Sequence, residues 1–127
     1  MIYGVGIDII DIKRIKRVLQ IYGDRFKKKC FHEFEIIKSD NRINSVESYA
    51  KRYAAKEACA KALGTGLARG VFWKDIEVKN NQYGKPYIIL HKNAKKFLKR
   101  KNNKINKIEL SMSDEKEFAL ANVVIFE

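Results

Sequence analysis

The chain has 127 residues, 46% of them hydrophobic, with seven Gly and one Pro, which suits one globular domain burying roughly two thirds of its unfolded surface and excludes disordered and fibrous classes. Twenty-seven Lys and Arg against fifteen Asp and Glu leave a formal charge of +12, so nucleic acid, phosphorylated ligands and acidic proteins are the favoured partners, although a Lys-, Asn- and Ile-rich coding bias would give part of the same excess. Two cysteines exclude a disulfide framework, no Cys/His cluster has zinc spacing, and no long apolar run predicts a signal peptide or membrane span, which together predict a cytoplasmic protein.

Residues Ile2 to Ile10 are rich in Val and Ile and interrupted by Gly4 and Gly6, the pattern of a buried strand whose glycines permit close backbone approach. Asp8 sits near the end of this strand, where its carboxylate must either be satisfied by hydrogen bonds or hold a ligand. Asp11 is placed to cap a helix over Ile12 to Tyr22, with Gly23 closing it. One face of that helix is Ile12, Ile15, Val18, Leu19 and Tyr22; the other is Lys13, Arg14, Lys16 and Arg17, either ordinary solvated surface or a docking face for an acidic partner. Lys27 to Lys29 extend the basic region towards a short helical segment around Phe31 to Lys38.

A second long helix is predicted from Asn44 or Ser45 to Leu63, with Asn44 and Glu47 spaced as a capping box and Gly64 as its stop. Val71 to Lys79 and Pro86 to His91 read as a hairpin, Lys92 to Asn103 as a basic helix, and Ile108 to Met112 with Glu117 to Phe126 as a second hairpin around a turn at Asp114 to Lys116. The order β-α-α-α-β-β-α-β-β, without repeats or linkers, predicts a single α+β domain over residues 1–127 with a mainly antiparallel sheet packed with helices.

The second helix carries the most chemistry. In Arg52-Tyr53-Ala54-Ala55-Lys56-Glu57-Ala58-Cys59-Ala60-Lys61, helical spacing puts Tyr53, Glu57 and Lys61 on one stripe and Arg52 and Lys56 on the next. Taken alone, Glu57 and Lys61 are an i,i+4 ion pair worth about 0.3 kcal/mol. Ala50, Ala54, Ala58 and Ala62 line the opposite side, so the helix can seat closely and hold its charges rigidly. Such a helix can offer Glu57 to a metal ion, Lys61 to a phosphate, and Arg52 or Lys56 to further anionic groups. Gly64-Thr65-Gly66 is at minimum a helix stop, and its backbone amides and hydroxyl can also approach a phosphate. It is not a P-loop, since its glycines close a helix rather than open one. His32 and His91 read as isolated surface residues, Trp73 as core, and no Ser-His-Asp arrangement can be assembled.

The segments GVGIDIIDIKRI, RYAAKEACAKALGTG and GKPYIIL, with Phe31 to Glu35 matching an FxxxE element and the C-terminal ELSMSDEKEFALANVVI, resemble in order and spacing the holo-acyl-carrier-protein synthases, the short class of 4′-phosphopantetheinyl transferases. The resemblance implies Mg2+-dependent transfer of 4′-phosphopantetheine from coenzyme A to a serine of apo acyl carrier protein, releasing adenosine 3′,5′-bisphosphate and supporting fatty acid biosynthesis. It also implies a homotrimer with active sites at the subunit interface. Asp8 and Glu57 match the family's metal carboxylates and Lys61 its pyrophosphate lysine. Gly64, Thr65 and Gly66 match the loop beside the nucleotide, and Arg52 and Lys56 lie where the family contacts coenzyme A phosphates. Attack by the serine needs its proton removed, and Glu57, or a metal-bound water positioned by it, is the candidate base. An acidic carrier protein would dock on Lys13, Arg14, Arg17 and Arg25. Asp114, after Ser111-Met112-Ser113, stands where many relatives carry His; an aspartate repels a phosphate, so neighbouring cations such as Arg52 would have to contact the 3′-phosphate. His32 likewise replaces a common Ser or Thr ahead of Glu35.

Two other classes compete. A basic nucleic-acid-binding domain would account for Lys92 to Lys107, yet no RRM aromatic motif, zinc finger or helix-turn-helix accompanies the charge. A non-catalytic interaction module on the same fold would account for Asp114.

Overall fold

The computed structural model describes residues 1–105 and 107–127. Strand β1 (Ile2–Asp11) leads into α1 (Ile12–Tyr22), α2 (Asp24–Cys30), α3 (Glu33–Asp40) and the long α4 (Ser45–Leu63). A 3-10 turn at Trp73–Asp75 precedes β2 (Ile76–Asn80) and β3 (Pro86–Leu90), followed by α5 (Lys92–Lys101), β4 (Lys107–Glu115) and β5 (Phe118–Phe126). The expected α+β order holds, with three differences. Helix α2 fills a stretch read only as basic. The strand expected from Val71 begins at Ile76, because Val71 tucks into the core and Trp73–Asp75 turns instead. Asn44 precedes α4 without a side-chain cap bond, so the expected capping box is absent.

The three-stranded antiparallel sheet runs β1-β5-β4, and β2 pairs with β3 as a separate hairpin. In β1 opposite β5, Ile7 faces Asn122, Asp8 faces Ala121 and Ile9 faces Leu120. Alternation sends Ala119, Ala121, Val123 and Ile125 of β5 inward, fully covered by α4. Val5, Ile7, Ile9, Phe118 and Leu120 lie on the opposite face and are 39–63% exposed.

The seat of α4 on β1 explains the small residues in both. A Cβ on Gly4 would stand 2.0 Å from the Ala62 carbonyl oxygen, and one on Gly6 would stand 1.8 Å from that of Ala58. Ala50, Ala54 and Ala58 are wholly buried and Ala62 nearly so. Helix and strand therefore touch backbone to backbone, and the side chains just beyond the contact, Asp8 on the strand and Glu57 and Lys61 on the helix, come out together at its rim.

Candidate active site

Lys61, in the last turn of α4, donates from Nζ to the Ile7 carbonyl at 2.9 Å and to Asp8 Oδ1 at 3.1 Å. Its side chain is half exposed while that of Asp8 is 17% exposed, so a mobile cation rests on a fixed, recessed carboxylate. Glu57, one turn earlier on α4, is held above the ordinary carboxylate range by partial burial and by the charge of Asp8, with Lys61 and Arg14 opposing. Two carboxylates thus repel one another beneath two cations.

Four of the expected residues end α4 and its stop. Gly64 adopts a left-handed conformation with φ of 87°, and its amide bonds to the Lys61 carbonyl. The Gly66 amide reaches back to the Ala60 carbonyl at 3.0 Å with φ of 60°. Thr65 is buried, its Oγ1 donating to the Gly66 carbonyl at 2.6 Å. Open space lies outside both glycines, so backbone conformation rather than crowding demands them.

Lys56 requires a correction. It is fully buried, and its ammonium donates to Glu35 Oε1 at 2.9 Å, to the Trp73 carbonyl at 3.1 Å and to the Ile76 carbonyl. All three N–H groups are committed inside the protein, so none is left for a coenzyme A phosphate. Glu35 also accepts from the His32 amide at 2.9 Å and the Val78 amide at 3.1 Å. The pair ties α3, α4 and β2 together; burial pulls the Lys56 pKa down and Glu35 opposes the shift. Helical spacing placed Lys56 beside Arg52 on a charged surface, but α4 is enclosed on that side as well.

Arg52 is only 3% exposed, with one guanidinium nitrogen on the Val78 carbonyl at 2.5 Å and the other on Asn80 Oδ1 at 2.7 Å. It nevertheless borders a cleft of about 210 Å³ together with Arg42, Lys51, Asn80 and Met112. Lys51 was not anticipated: its Nζ lies 3.0 Å from Asp114 Oδ1. The unusual aspartate is therefore neutralised by a lysine 63 positions away in sequence, a pairing that no local spacing reveals.

Lys13, Arg14, Arg17 and Arg25 are all exposed on α1 and α2. Arg14 comes near enough to Glu57 to oppose the rise in its pKa, so the basic face adjoins Glu57. His32 and His91 are not isolated: their rings lie 4.8 Å apart.

The family model of the 4′-phosphopantetheinyl transferase superfamily matches residues 4–121. A holo-[acyl-carrier-protein] synthase of Agrobacterium fabrum is 48% identical over 128 residues, covering 98% of this chain and 95% of that protein. The synthase of Sinorhizobium fredii is 63% identical over 86 residues, 68% of this chain; the aligned part spans only 62% of that relative's length. The crystal structure of the synthase from Neisseria meningitidis superposes with a TM-score of 0.87 at 36% identity, covering 100% of both chains. The Bacillus anthracis synthase in complex with CoA (3′,5′-ADP) superposes with a TM-score of 0.79 at 38% identity, covering 98% of this chain and 96% of that one. By fold and by sequence, the chain belongs to the 4′-phosphopantetheinyl transferase superfamily, among the holo-[acyl-carrier-protein] synthase enzymes.

Proposed function

We propose that this chain transfers 4′-phosphopantetheine from coenzyme A to a serine of apo acyl carrier protein, releasing adenosine 3′,5′-bisphosphate and serving fatty acid biosynthesis in the cytoplasm. The observation that carries the reading is the meeting of Lys61 with Asp8 and the Ile7 carbonyl, beside a Glu57 whose ionisation Asp8 opposes.

The donor set fits a divalent cation with a preference for oxygen. Asp8 and Glu57 offer carboxylates, the Ile7 carbonyl lies beside them, and a dication would relieve the repulsion now countered by Lys61 and Arg14. Asp8 and Glu57 would hold Mg2+, which when bound would neutralise charge on the pyrophosphate of coenzyme A. The remaining work belongs to the chain. Lys61 leaves Asp8 to pair with a phosphate oxygen as a point charge. Glu57, or a water it orients, takes the serine proton. Gly64, Thr65 and Gly66 lie along the nucleotide path, and Arg52 presents its remaining guanidinium edge to the cleft it shares with Arg42 and Lys51.

Arg14 beside Glu57 brings the face of Lys13, Arg14, Arg17 and Arg25 to the reacting centre, where an acidic carrier protein would dock with its serine aimed inward. The exposed apolar face of β1 and β5 supports a homotrimer, since a patch of this kind on a folded chain marks an interaction surface. Incubation with coenzyme A, Mg2+ and apo acyl carrier protein should add one phosphopantetheine to the carrier by mass spectrometry. An unmodified carrier after prolonged incubation would overturn the reading, as would full metal-dependent turnover in both Asp8→Asn and Glu57→Gln.

A further inference from the structure

We propose that His32, Glu77 and His91 form a second cation site, specific for a transition metal such as Zn2+ and separate from Asp8 and Glu57. One ligand atom from each of the three side chains lies within 4.8 Å of the others. His91 Nε2 is already 2.8 Å from Glu77 Oε1. Two imidazoles and one carboxylate are a donor set for zinc, with the fourth position open to water. Zinc bonds of about 2.0–2.2 Å require tetrahedral ligands roughly 3.4 Å apart, so the widest donors must draw in by about 1.4 Å at most and the His91–Glu77 pair must open by about 0.6 Å, within reach of rotation by two partly exposed histidine rings.

The surroundings hold these side chains as a binding site would. Glu77 is 7% exposed in β2, a recessed carboxylate with an imidazole as its hydrogen-bond partner. The His91 amide donates to the Asp75 carbonyl at 2.7 Å, fixing the residue at the start of α5. His32 is fixed through its own amide on Glu35, and its Nε2 lies 2.5 Å from the Lys74 carbonyl. A carbonyl can only accept, so Nε2 is the donor to Lys74 and Nδ1 is the nitrogen that would meet an ion, the arrangement by which an outer carbonyl orients a metal-binding histidine. Glu77 supplies the single negative charge that two neutral imidazoles lack. Lys56, the nearest buried ammonium, is already engaged by Glu35. Burial pushes the Cys30 thiol up to about 11 and that of Cys59 to about 12, so neither competes as a thiolate.

Titration of the full chain with Zn2+ in excess Mg2+ tests the site by calorimetry, with the Mg2+ occupying oxygen ligands. One Zn2+ per chain is expected, retained in Asp8→Asn. His32→Ala and His91→Ala should each weaken it by about 100-fold or more, since losing a ligand costs at least as much as the roughly 10–100-fold lost when an outer-shell partner is disturbed. Because Glu77→Gln alters a buried group, its melting curve is recorded alongside, and Zn2+ should raise the melting temperature of the unaltered chain but not of the His32→Ala/His91→Ala double variant. Failure to bind, binding that survives in the double variant, or binding lost in Asp8→Asn would each overturn the proposal.

Discussion

The missing Cβ of Gly6 points at the Ala58 carbonyl oxygen from 1.8 Å, so this strand and this helix can share their surface only while both residues stay small. An atom placed there meets backbone rather than a flexible side chain, and neither element can yield without unseating the other. Gly6→Ala is expected to cost about 3 kcal/mol or more, the upper range for overpacking a core. It should also abolish transfer, because Asp8 follows two residues later on the same strand. Urea unfolding reads the stability term; a loss under about 0.5 kcal/mol would mean that α4 does not sit on β1 as described.

Lys56 and Glu35 allow a sharper test, since their burial separates a structural role from a ligand-binding one. Removing the lysine leaves Glu35 buried with two amide partners and no cation. Lys56→Met should therefore lose about 3–5 kcal/mol, as breaking a buried pair does. Surviving folded protein should keep its half-saturation for coenzyme A. A stable variant with markedly weakened coenzyme A binding would return Lys56 to the phosphate site.

The same pair shows where sequence reasoning stopped. A close approach was legible on each side separately, from Gly4 and Gly6 in the strand and from the alanine repeat in the helix, but that the two are one contact only the fold shows. The grouping of Asp8, Glu57 and Lys61 was legible too, through helical spacing and the family resemblance. Lys56 was misplaced because periodicity assigns a residue to a side of its helix, not to what covers that side, and α4 is enclosed nearly all round. Lys51 with Asp114, and His32 with Glu77 and His91, join residues far apart along the chain. Only the fold makes them neighbours.

Glu57 should leave its mark on stability as well as on catalysis. Its folded pKa is raised above the ordinary 4.5 by burial and by Asp8, so the fold binds this proton more tightly than the unfolded chain does. The stability linked to it is full below the unfolded value and is lost as pH rises through the folded one. In metal-free protein at neutral pH, Glu57→Gln should then raise the melting temperature by about 2 °C, a small figure because the side chain is partly solvated. At pH 3 to 4, roughly below the unfolded pKa, the two proteins should melt together. Added Mg2+ should reverse the order at neutral pH, stabilising the unaltered chain alone. A lower melting temperature for the variant in metal-free buffer at neutral pH would show that Glu57 is satisfied rather than frustrated.

Asp114 sits 3.0 Å from Lys51, both side chains about a quarter exposed, at the edge of a cleft that also holds Arg42 and Arg52. If coenzyme A places an anionic phosphate in that cleft, the aspartate acts twice against it, by repulsion and by occupying Lys51. Asp114→Asn keeps the shape, removes the charge and releases the lysine. Its half-saturation for coenzyme A should fall about 2–5-fold at low ionic strength, the range that a partly exposed ion pair is worth. The gain should shrink as salt screens the cleft. Lys51→Met in the same background should erase it, since the released ammonium is then gone. Weaker binding in Asp114→Asn would mean instead that the carboxylate holds Lys51 in place for the phosphate, so that the aspartate positions the cation it neutralises.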